Sequence, residues 1–341
     1  MFEPLVTRRL IIRPFTEEDL DGYHALRNDP EVARYQDWVT PYPRSESERV
    51  VSKVIAMEGP EDEEWWMAIV ADRITGETYG DLALHLGDEA RTAEVGYSFG
   101  PTHWGKGYAT EALEALVTYL FEDLAVTRVF GMLHPDNPAS AMVLERTGFL
   151  YEGHLKSSFW LEGECSDDLI YGLTRPDWEA WRDRPREPPA AVTLRELTAE
   201  GLESALALRT HRSQVAYVPP VARSIADAMY PDVVNGTPLE SEMFTVHADA
   251  DLVGFVIVTK VTDAHPDPIL WRLLIDRMHQ RRGIGAMVLD AVLERSRSAR
   301  AERLVTNWCE GKGSPGPFYL SSGFVPTGVR SGRKVQAVRT L

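Results

Sequence analysis

The sequence predicts an α/β protein of two domains that share one architecture, and three observations carry that prediction. The first is an internal repeat. A glycine-rich turn at Trp104-Gly105-Lys106-Gly107-Tyr108-Ala109 is matched by Gln280-Arg281-Arg282-Gly283-Ile284-Gly285, and each is followed by a Gly-Phe pair. Gly107 to Gly148 spans 41 positions, and Gly283 to Gly323 spans 40. The second is a break at 183–191, where Asp183-Arg184-Pro185-Arg186-Glu187-Pro188-Pro189 is rich in proline and charge and has no apolar periodicity. Such a composition reads as a semi-rigid linker between domains at 1–182 and 192–341. The third is that both sides show the same alternation of strand and helix patterns, and 341 residues suit two domains of ordinary size.

Taken in order, Leu10-Ile11-Ile12-Arg13 reads as an edge strand, and Thr16-Glu17-Glu18-Asp19 as a capping box that opens a helix. A second helix fits Ser45 to Met57. Strands follow at Trp65 to Ala71, Tyr79 to Leu86 and Ala93 to Phe99. After the first glycine-rich turn, Ala112, Leu113, Leu116, Val117 and Leu120 form one apolar stripe of a helix. A strand at Arg128 to Leu133 and a short helix lead to Gly148, which suits the position after a helix where φ must be positive. Pro176 to Arg182 is a short helix that could cap this domain. In the second half, Val192-Thr193-Leu194-Arg195 repeats the first strand, and Thr198 and Glu200 start the matching helix. Phe244 to His247, Leu252 to Val261 and Ile269 to Ile275 take the middle-strand places. Met287, Val288, Ala291 and Val292 begin the helical stripe, and Leu304 to Trp308 is the next strand. Trp65-Trp66 reads as core, and Glu61 to Glu64 as a solvated loop or the rim of an acceptor mouth.

Composition narrows the function. The formal net charge is −16, but from Ala190 onward 18 basic residues face 16 acidic ones, while the preceding residues hold 18 against 36. The acidic first half disfavours nucleic acid and would attract a cationic acceptor, or else serves solubility alone. Cys165 and Cys309 have neither disulfide-framework nor metal spacing. The nine histidines form no HxxxH or HExxH motif, so no metal is expected. No stretch reaches 18 apolar residues, and Met1 to Phe15 has no secretory apolar segment. A reducing cytoplasm is the expected setting.

The two glycine-rich turns carry the chemistry. Each follows a strand and opens a helix, where glycines admit a phosphate to the backbone and the helix end offers unpaired N–H groups. Lys106, Arg281 and Arg282 add positive charge. Neither turn has the third glycine of a dinucleotide fingerprint, and no P-loop or GxSxG elbow occurs. The reading is a diphosphate cradle, made twice.

On these motifs the chain resembles the GNAT superfamily of N-acetyltransferases, whose pyrophosphate loop reads Q/R-x-x-G-x-G/A. Gln280 to Gly285 matches in full; Trp104 to Ala109 matches with Trp104 in place of Gln or Arg. The first half is similar to the Rim-type branch, the ribosomal-protein N-acetyltransferases. The supporting stretches are Thr7-Arg8-Arg9-Leu10, Ile12-Arg13-Pro14-Phe15, Asp29-Pro30-Glu31-Val32, Glu94-Val95-Gly96-Tyr97, Trp104 through Ala112, Asn137-Pro138-Ala139-Ser140 and Gly148-Phe149. The second half is similar to bacterial diamine (spermine/spermidine) acetyltransferases over Leu270 to Ile284 and Phe318 to Gly328.

The resemblance implies two tandem domains, each a mixed, mostly antiparallel sheet flanked by helices. It implies acetyl-CoA as donor and direct transfer to a primary amine of a polyamine, an aminoglycoside-type antibiotic or a peptide N-terminus. CoA would be held by Val95, Gly96 and Tyr97, by Trp104, Gly105, Lys106, Gly107, Tyr108, Ala109 and Thr110, and by Asn137. In the second half the corresponding residues are Leu274, Ile275, Gln280, Arg281, Arg282, Gly283, Ile284 and Gly285. Backbone N–H groups near Gly96 to Ser98 and Leu273 to Ile275 would stabilise the oxyanion. Glu94 is the candidate base and otherwise a surface carboxylate, with Asp168 second. Ser140 and Tyr319 are candidate acids for the departing thiolate; without that role they are a helix start and a core tyrosine. The second half departs from the pattern: Lys312 occupies the position of the usual Asn, Gly313 to Pro317 shortens the helix, no base stands out, and Asp276 serves as a cap. The rival reading is an acyl-CoA-binding sensor or scaffold in which one or both domains are silent. The acceptor and the oligomeric state stay open at this level.

Overall fold

A computed structural model describes residues 2–234 and 236–341. The chain divides into two compact units, Met1–Arg182 and Asp183–Leu341. The first contains β1 (Leu5–Val6), β2 (Leu10–Arg13), α1 (Leu20–Arg27), α2 (Pro30–Ala33), α3 (Arg44–Ala56), β3 (Trp65–Asp72), β4 (Thr78–Gly87), β5 (Thr92–Phe99), α4 (Tyr108–Glu122), β6 (Arg128–Leu133), α5 (Pro138–Arg146), β7 (Leu150–Leu161), β8 (Glu164–Thr174) and α6 (Arg175–Asp183). They form one sheet in the order β1-β2-β3-β4-β5-β6-β8-β7. β5 and β6 run parallel, and the other ladders described in this sheet are antiparallel.

The second unit repeats the plan with β9 (Val192–Glu196), α7 (Ala199–Leu206), α8 (Val221–Ala228), β10 (Val233–Val234), β11 (Thr237–Pro238), β12 (Ser241–Ala248), β13 (Asp251–Thr259), β14 (Ile269–Ile275), α9 (Ile284–Ser298), β15 (Arg303–Cys309), α10 (Gly316–Ser321), β16 (Val325–Ser331) and β17 (Lys334–Thr340). Its main sheet runs β16-β17-β15-β14-β13-β12-β9, with β14 and β15 parallel. Among the described residues, no helix is long and apolar enough to cross a membrane.

Both cores form where the periodicity places them. Ala112, Leu113, Leu116, Val117 and Leu120 of α4 are fully buried against the first sheet. In α9 the buried stripe is Ile284, Val288, Leu289, Val292 and Leu293, one residue C-terminal to the expected Met287 and Ala291, which are half-buried. Trp66 is core but Trp65 is not: Trp65 is the first residue of β3 and lies outward against His85, with ring centroids 5.3 Å apart, while Met67 on the same face is already buried. Glu61 to Glu64 is exposed throughout.

Thr16 opens a 3₁₀ turn at Glu17–Asp19 that continues into α1, and the Asp19 carboxylate accepts from the Thr16 N–H and from Arg13. Gly148 has φ +102° with the Trp181 ring only 2.5 Å from where a Cβ would stand, so backbone and space both require glycine. The α6 helix thereby closes over the core, and Trp178 stacks on Phe121. The closing hairpins β7–β8 and β16–β17 go beyond the expected elements. β16 is exposed at every residue and most of β7 lies in water, so neither shows the in-out alternation by which strands are read.

Candidate functional site

The two glycine-rich turns adopt one backbone conformation. In the first unit Gly105 and Gly107 have φ +73° and +80°; in the second Arg281 and Gly283 have φ +65° and +78°. Positive φ at alternate positions turns successive N–H groups toward one side, the geometry of an anion-binding nest. Each turn ends as the N-cap of a 15-residue helix, α4 or α9, and no side chain caps either helix. A Cβ added at Gly105 or at Gly283 would meet nothing within 4 Å, so open space lies in front of both loops. Uncapped amides, a helix dipole and an open approach suit the diphosphate of CoA.

Trp104 and Gln280, the differing first residues of the turns, do the same work. Trp104 Nε1 donates to the Phe99 carbonyl at 2.7 Å, and Gln280 Nε2 donates to the Ile275 carbonyl at 3.0 Å. Each ties its turn to the residue five positions earlier, which ends the preceding strand. Trp104 therefore substitutes for the pattern residue without altering the turn.

The charge around the turns differs from the expectation. The Arg282 side chain is only 8% exposed; its Nε donates to the Glu187 carbonyl and its Nη1 lies 2.9 Å from His279 Nδ1. That guanidinium is directed into its own unit, so Arg282 adds backbone but no outward charge to the cradle, whereas Arg281 is exposed. In the first unit a residue outside the turn supplies charge. Arg9 donates from Nη1 to the Lys106 carbonyl at 2.9 Å, binds Glu111 at 2.6 Å and lies over the Tyr108 ring. Thr7 Oγ1 and the Arg9 N–H also donate to Glu111. Burial alone would raise the Glu111 carboxyl, yet these bonds hold it below its ordinary pKa. Thr7-Arg8-Arg9-Leu10 thus braces the first turn of α4, a role legible only by pairing it with the distant Glu111.

Beyond each turn lies a fork. β5 and β6 pair at Thr92, Ala93 and Glu94 and then part; β14 and β15 pair at Ile269 and Leu270 and then part. Val95, Gly96 and Tyr97, like Leu274 and Ile275, therefore lie past the last parallel rung, with their groups on that side outside the ladder. Glu94 stands at the last rung of the first fork, ten residues before Trp104, and Leu270 holds the same place ten residues before Gln280. A base is thus absent at that position in the second unit.

Glu94 is half-buried, and its carboxyl is raised above the ordinary range. Burial is the main cause; nearby Asp37 and Asp168 add to it, and His85, which lies opposite on β4, works against it. Asp168, on β8, accepts from Ser158 Oγ at 2.8 Å. Asn137 caps α5, its Oδ1 accepting the Ser140 N–H at 3.2 Å. Ser140 Oγ lies 2.8 Å from the Tyr97 hydroxyl, which also donates to the Ser140 carbonyl. Burial pushes the Tyr97 phenol above its ordinary pKa, so at neutral pH this pair holds protons. The Tyr97 side chain is the partner that the sequence reading of Ser140 did not include.

Tyr319 is 7% exposed, stacked on Trp308 and edge-on to Phe318 and Phe324. Burial pushes its phenol up to about 12, partly offset by Thr306. Thr306 in turn donates to the Leu270 carbonyl at the second fork. Asp276 caps the turn at Arg277–His279 through the Met278 N–H. Lys312 contributes its carbonyl to the Tyr217 hydroxyl, and α10 is six residues long where α5 has nine. Among the described residues, no group of three or more His, Cys, Asp or Glu side chains is arranged to hold a metal.

Two family models and several known relatives match the chain. The family model described as an acetyltransferase (GNAT) domain matches residues 9–150, and one described as the acetyltransferase (GNAT) family matches 216–314. An N-acetyltransferase of Bacillus subtilis, YoaA, is 30% identical over 177 residues, which are 52% of this chain and 99% of that protein. The [ribosomal protein uS5]-alanine N-acetyltransferase of Escherichia coli is 35% identical over 88 residues, 26% of this chain and 45% of that protein. The solved spermidine N-acetyltransferase of Vibrio cholerae, in complex with CoA and spermine, is 23% identical and covers 51% of this chain and 99% of its own, with a TM-score of 0.45. The chain carries two matches to the GNAT acetyltransferases, enzymes that take their acetyl group from acetyl-CoA, and it belongs to that family.

Proposed function

We propose that the first unit moves the acetyl group of acetyl-CoA to a primary amine on a cationic acceptor, with Glu94 as base and Ser140, held by Tyr97, as acid. The observation that carries this reading is Glu94 itself, a half-buried carboxylate at the fork of β5 and β6 with Asp37 and Asp168 in its field. Acetyl-CoA supplies an activated thioester. The uncapped turn of α4, with Lys106 and Arg9, holds its diphosphate, and Asn137, at the cap of α5, binds the CoA arm. Glu94 takes the proton that the ammonium must lose before its nitrogen can bond the acetyl carbon. Backbone N–H groups past the last rung, near Gly96, face the developing oxyanion. Ser140 returns a proton to the sulfur as the C–S bond breaks. A raised carboxyl is a better base near neutrality than an ordinary one, and three carboxylates together favour a polyamine, an aminoglycoside or a peptide N-terminus over a neutral amine.

In the second unit the cradle is complete, but Leu270 stands where the first unit has Glu94. The reading there is acetyl transfer with Tyr319 as acid and without a fork carboxylate. A silent second domain that only binds CoA is the alternative.

The test is CoA release by the full chain against polyamines, aminoglycosides and N-terminal peptides, with acetyl-CoA stoichiometry by titration calorimetry. Because Glu94 must be ionised to act, activity in the first unit should rise with pH through a pKa above the ordinary carboxylate range. That acidic limb should vanish in Glu94→Gln, with kcat/KM about 100-fold lower. An unchanged limb in Glu94→Gln rules out Glu94 as base. Ser140→Ala and Tyr319→Phe should each lower kcat about 10-fold or more in the unit that carries them, with little change in acetyl-CoA affinity. Full activity in both variants would show that the leaving thiolate takes its proton elsewhere.

A further inference from the structure

The second unit has a cavity of about 120 Å³ at the fork of β14 and β15, lined in part by Trp271, Arg272 and Trp308, with Lys334, Asp232 and Ser241 also on its wall. It opens where the two strands have parted, one residue past the last rung at Leu270. The first unit gathers three carboxylates near its fork, whereas this wall has two cations, Arg272 and Lys334, against one carboxylate, Asp232.

Arg272 is poorly satisfied for a cation with a side chain only 18% exposed. A guanidinium offers five N–H donors. Nη1 reaches the carbonyl of Trp271 at 3.0 Å, and Nη2 reaches Asp227 Oδ2 at 3.3 Å. Its Nε is buried with no partner among the described residues, and so is Ser241 Oγ on the same wall. Asp227 does not neutralise Arg272 alone, because its other oxygen accepts from Arg223 at 2.7 Å. One carboxylate is thus shared by two guanidiniums, and burial pulls the Arg272 pKa below its ordinary value, with Asp227 opposing. Buried donors without acceptors are what a site built for an anionic ligand group leaves open until that group arrives.

We infer that the cavity at the β14–β15 fork takes an acceptor amine that also bears a carboxylate, held by Arg272, and that it disfavours diamines. This rests on the reading that the second unit transfers acetyl groups, and it sets the acceptor of that unit apart from the cationic acceptor of the first. A diamine would bring a second ammonium against Arg272 and Lys334, while an amino acid would meet Arg272 with its carboxylate and leave its amine toward the fork.

The experiment is calorimetric titration of 5-aminopentanoate and of 1,5-diaminopentane, which differ at one end only, into the full chain saturated with CoA. Arg272→Met should weaken 5-aminopentanoate at least 10-fold and leave the diamine unchanged or slightly tighter. Asp227→Asn, which frees Arg272 from its shared counter-ion, should tighten 5-aminopentanoate several-fold. Opposite signs from two neighbouring substitutions cannot both arise from misfolding. The inference is overturned by absence of 5-aminopentanoate binding to the native chain, by unchanged affinity in Arg272→Met, or by a diamine loss as large as that of the amino acid. Binding that follows the expected pattern, with no N-acetylated 5-aminopentanoate formed when acetyl-CoA replaces CoA, would uphold the specificity and refute only acetyl transfer by this unit.

Discussion

Gly107→Glu should remove acetyl-CoA binding from the first unit while leaving the second intact. Gly107 sits at φ +80° as the N-cap of α4, a conformation that favours glycine, so any side chain there adds backbone strain of about 1 kcal/mol or more. The larger effect is electrostatic. A glutamate at the cap places a carboxylate at the amides that the diphosphate would use, where it can satisfy them itself. At a separation of roughly 5 Å and an effective dielectric near 20, like charges repel by about 3 kcal/mol, or about 100-fold in affinity. The neighbouring Arg9 guanidinium, 3.5 Å from where the Cβ would stand, would draw the new carboxylate into the cradle. Calorimetric stoichiometry separates the units: one binding event should be lost in Gly107→Glu and the other in Gly283→Glu. Unchanged affinity in both variants would mean that the diphosphate does not rest on these turns.

The cradle was legible in the sequence because its features are local. Glycines at positive φ, a helix start and an apolar stripe of period 3.6 lie within twenty residues of one another, and the repeat at Gln280 doubled the signal. Arrangements that depend on distant partners were not legible. Arg282 reads as a surface cation until the fold places the Glu187 carbonyl and His279 beside it. Arg9 is only one residue of the stretch Thr7-Arg8-Arg9-Leu10 until Glu111 and the Lys106 carbonyl come to it. Trp65 and Trp66 are adjacent and alike, and only the fold shows that β3 begins at the exposed one. The contrast of Glu94 with Leu270 is half legible: each stands ten residues before its turn, but only the fold shows that both sit at the last parallel rung.

The buried pair Arg27–Asp81, which no sequence pattern marks, carries the largest expected effect on stability. Arg27 on α1 and Asp81 on β4 form two hydrogen bonds of 2.9 Å each, with side chains 5% and 2% exposed. Burial works against the charged guanidinium, but Asp81 and Tyr23 together outweigh it and hold the Arg27 pKa above its ordinary value. The guanidinium also lies over the rings of Tyr23 and Trp38, at 4.2 and 4.4 Å, and Trp38 Nε1 donates to the Arg27 carbonyl. Asp81→Ala would leave this cation enclosed without a counter-ion, which should cost about 3–5 kcal/mol in the first unit. Replacing both partners with apolar residues, as in Arg27→Met with Asp81→Leu, removes the stranded charge and should cost less than Asp81→Ala alone. Denaturant unfolding of the two variants checks this. A cost under about 1 kcal/mol for Asp81→Ala, or a double variant that costs more than Asp81→Ala alone, would show that the stranded charge does not set the stability of this unit. The effect should reach the acceptor side before the unit unfolds. The segment after α1 carries Asp37 into the field of Glu94, so loosening α1 should lower amine affinity before acetyl-CoA affinity, the reverse of the order expected for Gly107→Glu.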